Sequence, residues 1–274
     1  MRLPATALLV AIFNIFCLQP SGADNGAVAV ARVLPDVRID GDLGEWPRDM
    51  PILHVTYLGL GDPLSEAAGE TDLEVEARVS YDPATNRLFV AVHVEDESII
   101  LLEQDQGWQN QDGCDIYLHI DHQRAGEPVS QYVLWGHHSN MFGALKTGES
   151  IRHLEVQART TAVGRDYEFA IDLGDNGLDL LPHTTIGFDI AVNDVDKDGS
   201  SSWVSWGQGT IKAAFPERLG DLLFLDPEEE LVELSGDLRW QDLNTPVADA
   251  LINVRQEPAV NIDLLTDRQG RFDL

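Results

Sequence analysis

Apolar and polar residues alternate with a period of two along most of this sequence, and a helical period is nearly absent. From Asp72 to Tyr81 each polar side chain is followed by an apolar one, and the turn-forming residues 82–86 (Asp-Pro-Ala-Thr-Asn) come next. Such alternation is typical of β-strands with one buried face. Other segments with strand character are 88–94, 116–120, 167–173, 185–193 and 221–225. We therefore predict an all-β chain folded as an antiparallel β-sandwich of the immunoglobulin or jelly-roll kind.

Residues 1–23 are predicted to be a secretory signal peptide. Arg2 supplies a positive charge, residues 8–18 are mostly apolar, and the small residues 21–23 form a cleavage site. The alternative is a single membrane anchor, although the apolar run is short and contains Asn14. No later stretch is long and apolar enough to span a bilayer. The mature protein is therefore expected to be periplasmic or secreted, without membrane insertion.

The remaining chain divides at an acidic stretch that contains a proline. Residues 24–226 are predicted to form the sandwich, and residues 227–235 are predicted to be a linker. Residues 236–274 contain further short strand and turn patterns, but they are too few for an independent β-sandwich without disulfides. We predict a short and incomplete second β domain there.

The chain carries 47 acidic and 18 basic side chains, which gives a formal net charge of −29. Nucleic-acid binding is not expected, because it requires a basic surface that releases counterions from the phosphates. An electrostatic anchor on anionic lipid is disfavoured for the same reason. The excess of carboxylates suits cation binding and a salty habitat equally well.

Five short motifs follow one another along residues 33–225, namely 39–47 (IDGDLGEWP), 108–121 (WQNQDGCDIYLHID), 187–194 (GFDIAVND), Ser205-Trp206, and 215–222. In this order they resemble the motifs of the family 9 carbohydrate-binding modules. The resemblance implies a β-sandwich that binds glucan- or xylan-type oligo- or polysaccharide without cleaving it. The fold also occurs in a wider group that includes haem-binding domains, and family members often hold structural calcium. The region from residue 236 resembles the first half of a carboxypeptidase-regulatory-type β domain.

The same motif positions imply a sugar site. Trp108 and Trp206 would face each other as a clamp, and Asp115 would accept hydrogen bonds from sugar hydroxyls. Gln131 and Asn193 are further candidates for the polar rim of this site. Two indole faces suit a pyranose because its C–H faces are apolar, whereas its hydroxyl rim needs carboxylate and amide partners.

Parts of this site stay open. Trp203 lies three residues before Trp206 and competes with it for the second place in the clamp. Where the family often has an arginine after Gln131, this chain has the run 135–138 (Trp-Gly-His-His), so the choice of sugar is not determined. Trp46 opens the domain and is expected to pack in a core.

Residues 194–199 (Asp-Val-Asp-Lys-Asp-Gly) place acidic side chains at alternate positions before a glycine. Calcium loops use this spacing to surround a hard cation with oxygen atoms. Asp194, Asp196 and Asp198 are therefore candidate calcium ligands. The twelfth position of an EF-hand would be Ser205 instead of a glutamate, so such a site would need oxygens from elsewhere. The alternative is a solvated acidic hairpin.

Catalytic motifs of the G-x-S-x-G and H-E-x-x-H types are absent from the sequence, and we predict no enzyme activity. Two other functions are kept as alternatives. The first is a haem-binding electron-transfer domain, with Met141 and a histidine such as His137 as axial ligands. The second is a sensor or spacer module of a larger signalling or surface protein, which the incomplete C-terminal region suggests.

Overall fold

The computed structural model of the protein describes most of the chain after residue 24. The described ranges are 25–61, 73–104, 106–120, 129–143, 153–174, 178–228, 235–240, 244–248, 250–256, 260–266 and 268–273. The predicted signal peptide and residues 229–234 of the predicted linker lie outside these ranges.

Seventeen strands are present in the described residues, and they include every segment that the alternation assigned to a strand. The first nine are β1 (Val28–Val33), β2 (Leu53–His54), β3 (Tyr57–Gly61), β4 (Leu73–Asp82), β5 (Arg87–Asp96), β6 (Gly113–His119), β7 (Ser130–Trp135), β8 (His138–Phe142) and β9 (Leu154–Thr160). The others are β10 (Gly164–Asp172), β11 (Thr185–Val195), β12 (Ser201–Ser205), β13 (Gly220–Phe224), β14 (Ser235–Asp237), β15 (Leu251–Gln256), β16 (Val260–Leu265) and β17 (Arg271–Asp273).

Helical structure in the described part of the chain is limited to short 3₁₀ turns. They include Leu43–Glu45, Trp108–Asn110, Lys212–Ala214 and Pro216–Arg218. Within the described ranges, no helix is long and apolar enough to cross a membrane.

The main strands form two layers that are joined by β1. The first layer runs β8–β7–β6–β11–β13, with β12 beside β11 and β3 beside β12. The second layer runs β4–β5–β10–β9, with β2 beside β4. β1 pairs with β13 through Val28–Ala31 and with β4 through Arg32–Val33, and both pairings are parallel. The predicted β-sandwich is confirmed, and β1 is the exception to the antiparallel pairing expected throughout.

The core between the layers is filled by apolar side chains from both layers. It includes Val75, Val79, Tyr81, Val90, Val92, Cys114, Ile116, Leu118, Phe169, Phe188 and Ile190. Cys114 is a free cysteine that packs in this core as a small apolar group. Because successive strand residues point to opposite faces, the remaining residues of the same strands form the two outer faces of the sandwich.

The two outer faces differ in how they are covered. Outside β5 and β10, the segment 34–50 lies over Phe89, and Trp46 of this segment is buried. Trp46 therefore packs in a core, as predicted. Outside β6 and β11, a smaller cluster that includes Tyr117 and Trp203 is formed. A pocket opens beside this second cluster.

The described residues after 234 form two further antiparallel strand pairs. β14 pairs with β17, and β15 pairs with β16. The β character predicted for the C-terminal region is therefore present. Its place in a carboxypeptidase-regulatory-type domain stays a prediction, as does the domain boundary at residue 226.

Candidate functional site

A pocket of about 370 Å³ lies on the outer face of the first layer. Its lining residues are Leu60, Trp108, Asp115, Tyr117, Gln131, Trp135, Phe142, Trp203, Thr210 and Ile211. They come from β3, β6, β7, β8, β12, the 3₁₀ turn Trp108–Asn110 and the loop after β12. Five of them are aromatic and surround one carboxylate and one amide, which is the composition of a site for a ligand with both apolar and polar faces.

Strand alternation places the polar residues of this pocket. On β6, Cys114 and Ile116 belong to the core, so Asp115 and Tyr117 point to the outer face. β7 pairs with β6 in a register that sets Gln131 opposite Tyr117. The carboxylate and the phenol are therefore neighbours because they are two residues apart on one strand, and the amide joins them through the register of β7 with β6.

Asp115 is 4 % exposed and lies within a set of three side-chain donors. Its Oδ1 accepts a hydrogen bond of 2.6 Å from Nε1 of Trp135. Its Oδ2 accepts bonds of 3.1 Å from the Tyr117 hydroxyl and 3.1 Å from Nε2 of Gln131. Burial raises the pKa of Asp115 to about 6, although these three donors act in the opposite direction. A carboxylate has about four lone-pair sites, and these three donors occupy three of them.

The aromatic walls of the pocket have separate origins. The Trp135 ring stacks on Phe142, with centroids 5.7 Å apart and planes inclined by 24°. The Trp203 ring passes so close to β3 that a Cβ on Gly59 would come within 2.6 Å of it. Trp108 is half-buried and packs against the cluster of Trp203. Three indoles thus border one cavity from three different parts of the chain.

The loop 207–218 completes the pocket beside β12. Buried Lys212 donates from Nζ to Oδ2 of Asp189 on β11 at 2.6 Å and to the carbonyl oxygen of Gly207 at 2.9 Å. Burial lowers the pKa of Lys212 and raises that of Asp189 to about 6, while the attraction between the two charges opposes both shifts. This pair fixes the loop to the sheet and thereby positions Thr210 and Ile211 at the pocket.

Three of the five predicted ligand-binding residues line the pocket, namely Trp108, Asp115 and Gln131. Asn193 has a different place. Its Nδ2 donates to the main-chain oxygens of Trp108 at 2.9 Å and Gln111 at 2.5 Å. Asn193 therefore holds the turn that carries Trp108, and it is absent from the residues that line the cavity.

The predicted clamp of Trp108 with Trp206 is corrected, because Trp206 does not line the pocket. Its ring packs against Phe188 of the main core, with centroids 5.9 Å apart. Its main-chain N–H donates to the carbonyl oxygen of Ile190 at 2.9 Å, which continues the β12 pairing. Residues three apart in extended chain point to opposite faces. The competing residue, Trp203, is consequently the one at the pocket.

Sequence reasoning missed several lining residues. The sequence did contain the information for Trp135 and Tyr117. Side chains separated by an even number of residues on one strand point to the same face, so Trp135 shares a face with Gln131, and Tyr117 shares a face with Asp115. No such information existed for Leu60 and Ile211. These side chains reach the pocket through the pairing of β3 with β12 and through the fold of the loop 207–218.

A separate group of carboxylates lies where β5 and β11 end. Oxygen atoms of Asp96, Asp194 and Asp196 lie within 4.8 Å of one another. Asp198 is exposed, and its carboxylate accepts hydrogen bonds from the main-chain N–H and the hydroxyl of Ser200. Asp198 is not a member of this group of close carboxylates. Asp96 is a member although it is far away in sequence, because the end of β5 lies close to the end of β11.

Met141 and His137 do not come together as an axial pair for haem. Met141 is 1 % exposed and packs in the core between the layers. His137 is exposed in the turn between β7 and β8. Because the Met141 side chain packs in the core, its sulfur is not placed to bind haem iron together with His137. The structure therefore does not favour the alternative of a haem-binding domain.

A two-layer β-sandwich with an aromatic pocket on an outer face is the architecture of a binding module. Residues 39–223 match the family described as carbohydrate family 9 binding domain-like. The chain therefore belongs to this family. The recognised motifs from residue 39 onward lie within the matched range.

Two solved structures share the fold. Both are of a family 9 carbohydrate-binding module from Caldicellulosiruptor kristjanssonii, one in complex with cellotriose and one in complex with glucose. Each is 16 % identical to this chain, and the match covers 75 % of this chain and 99 % of that chain. The TM-scores are 0.59 and 0.58. No curated protein gave a significant match to the sequence.

Proposed function

We propose that this protein binds oligo- or polysaccharide of the glucan or xylan type, and that the pocket around Asp115 holds the end of the sugar chain. The observation that carries the proposal is the buried carboxylate of Asp115 in a pocket that three indoles also line, those of Trp108, Trp135 and Trp203. The ligands of the two similar structures, cellotriose and glucose, support a glucan.

The chemistry of the pocket matches a pyranose ring. Its C–H faces lose contact with water when they lie on indole, and dispersion adds to this gain. Its hydroxyl groups need strong acceptors and donors. The remaining lone pair of Asp115 accepts from one hydroxyl as a charge-assisted hydrogen bond, and the amide of Gln131 offers both a donor and an acceptor.

The pocket favours binding without hydrolysis. Glycoside hydrolysis needs two carboxyl groups on either side of the scissile bond. Among the described residues that line the cavity, Asp115 is the one carboxylate. It is also engaged by Trp135, Tyr117 and Gln131, so its role is to accept hydrogen bonds. We infer an extracytoplasmic module, periplasmic or secreted, and it can serve as the sensor of a larger protein without any change in this chemistry.

Calorimetric titration of the purified chain with cello- and xylo-oligosaccharides tests the proposal. We expect saturable binding to at least one series. Trp108→Ala should weaken binding by about tenfold or more, because an aromatic face in contact with the sugar is lost.

Trp206→Phe is the matched control. It changes a tryptophan that packs on the core instead of the pocket, so affinity should stay within about twofold of the parent protein. Equal losses in both variants would argue against the pocket as the site. A folded parent protein that binds neither series would remove the proposed function.

We also propose that Asp96, Asp194 and Asp196 hold a structural calcium ion. The donor set fits, because calcium prefers carboxylate oxygens from a flexible set of ligands. Two of the three side chains, Asp96 and Asp194, are buried, and three close carboxylates repel one another without a cation. The ion would join the end of β5 to the β11–β12 hairpin and would offset two of the three negative charges.

Thermal unfolding with calcium and with chelator tests this second proposal. Calcium at about 100 times its dissociation constant should stabilise the fold by about 2.7 kcal/mol. Asp194→Asn should abolish the difference between the two conditions, whereas Asp198→Asn, which lies outside the carboxylate group, should retain it. An unchanged melting temperature in the parent protein would exclude a stabilising calcium site.

A further inference from the structure

The mouth of the pocket has an apolar lip formed by Leu60 and Ile211. Leu60 is 49 % exposed and Ile211 is 63 % exposed, and both line the cavity. Single exposed aliphatic residues are common on protein surfaces. Here two of them, one on β3 and one on the loop after β12, line the same pocket and extend its apolar surface beyond the aromatic walls.

Ile211 also has an unusual backbone. Its φ is 57° and its ψ is 39°, which is the left-handed region. A β-branched residue in this region is a genuine outlier, because its Cβ crowds the following carbonyl group. Asparagine or glycine would fit this turn with less strain. Strained backbone persists where the surroundings enforce it, and such positions cluster at binding sites.

The contacts around Ile211 hold its backbone in this left-handed conformation. The next residue, Lys212, is buried and bonded to Asp189 and to the carbonyl oxygens of Gly207, Gln208 and Arg218. The Arg218 guanidinium donates to the carbonyl oxygen of Thr210, directly before Ile211. The loop therefore presents the isoleucine side chain to the pocket in a fixed position, although that side chain has little part in the core.

Polar and apolar groups are segregated within the pocket. Asp115 and Gln131 are joined by a hydrogen bond, and Asp115 is almost fully buried. Thr210, the residue before Ile211, also lines the pocket, and its side chain carries a hydroxyl group. A ligand that fills the whole cavity needs hydroxyl groups on one part and, on another, a small apolar group with an acceptor.

We propose that the preferred ligand is an O-acetylated saccharide, whose acetyl methyl group contacts Leu60 and Ile211 while its carbonyl oxygen accepts from Thr210. This inference rests on the proposed sugar-binding function and specifies its ligand. An acetyl ester combines a methyl group with a hydrogen-bond acceptor and carries no charge. Burying one methyl group on the lip should improve affinity by about fivefold.

The test uses partially O-acetylated xylo- and cello-oligosaccharides, each compared with the same sample after mild alkaline removal of the esters. The immobilised full chain is incubated with an equal mixture of both forms, and mass spectrometry of the retained sugars gives their ratio. We expect acetylated species to be enriched by about fivefold.

Two variants and one control locate the effect. Ile211→Asn keeps the left-handed backbone, which asparagine tolerates, and removes the apolar side chain. Leu60→Thr replaces the other apolar side chain of the lip, on β3, by a smaller polar one. Both should lower the ratio of acetylated to unacetylated sugar among the retained species to about one. The ratio is measured within each variant, so a general loss of sugar affinity does not change it. Leu181→Asn alters an equally exposed leucine, 56 % accessible and outside the pocket, and should keep the enrichment.

The outcomes separate the inference from the function on which it rests. Equal retention of both forms by the parent protein would overturn the acetyl preference and leave sugar binding intact. Enrichment that survives in both lip variants would also overturn it, because the lip would then not carry the preference. Retention of neither form by folded protein would remove the proposed function and the inference together.

Discussion

The two outer faces of the sandwich contain the same chemical pair, a tryptophan indole that donates to a buried carboxylate. On the second layer, Nε1 of Trp46 donates to Glu168 at 2.8 Å. On the first layer, Nε1 of Trp135 donates to Asp115 at 2.6 Å. One pair lies under a covering segment, and the other lies at the base of an open pocket.

The other donors to each carboxylate explain this difference. Glu168 also accepts from the main-chain N–H groups of Asp40 and Gly41, at 3.0 and 2.7 Å, so the covering segment itself satisfies it. Asp115 accepts its other bonds from side chains of its own sheet. The Glu168 carboxylate thus holds a segment of chain onto the sheet, whereas the Asp115 carboxylate is held by its own sheet and lines the pocket.

The largest expected effect is a loss of stability at the sealed face, which is the outer face that the segment 34–50 covers. Trp46→Ala should destabilise the fold by about 3–5 kcal/mol, since it leaves a cavity under the segment 34–50 and removes a donor from Glu168. Trp135→Ala should cost about 2 kcal/mol, because its ring borders the pocket and the vacated space can fill with water. Urea unfolding of both variants checks the order. Equal losses of stability would break the distinction between a sealed and an open face.

The difference between the covered outer face and the outer face with the pocket could be predicted from the sequence only in part. Alternation identified the strands, because strand periodicity is a local property of the sequence. The burial of Trp46 was expected from its place at the start of the domain and from the general tendency of tryptophan to be buried. Alternation also contained the information that Trp203 and Trp206 point to opposite faces. The lip residue Leu60 and the carboxylate of Asp96 could not be found in this way. Their positions depend on pairing between strands that are distant in sequence, and local patterns do not encode it.

Exchange of each carboxylate for its amide should separate stability from binding. Glu168→Gln places an amide N–H₂ among three donors, and we expect a loss of about 1–3 kcal/mol with unchanged sugar affinity. Asp115→Asn should lower affinity by about tenfold, because a charge-assisted bond to a sugar hydroxyl becomes a neutral one. Its loss of stability should be smaller, since the Tyr117 hydroxyl can turn and accept. Calorimetric titration and urea unfolding of the same two samples give both quantities.

The smallest effect is a pH dependence that belongs to the open face alone. Burial raises the pKa of Asp115 to about 6 from its ordinary value of 3.8. Lowering the pH from 7.5 to 5 should therefore protonate Asp115 and weaken sugar binding by about fivefold. Protonation of Glu168, whose pKa burial also raises, should not change affinity because that carboxylate does not reach the pocket.

The sign for folding stability is opposite to that for binding. A carboxyl group whose pKa is higher in the folded state holds its proton more tightly there, so its contribution to stability falls as the pH rises from about 4 through 6. Asp112 and Asp189, whose pKa values burial raises to about 7 and about 6, add to this trend. Stability alone therefore cannot identify Asp115, whereas affinity can. Titrations across this pH range should show the affinity change in the parent protein and its absence in Asp115→Asn. A change of equal size in that variant would assign the titrating group to another residue and would remove the carboxylate from the recognition of the sugar.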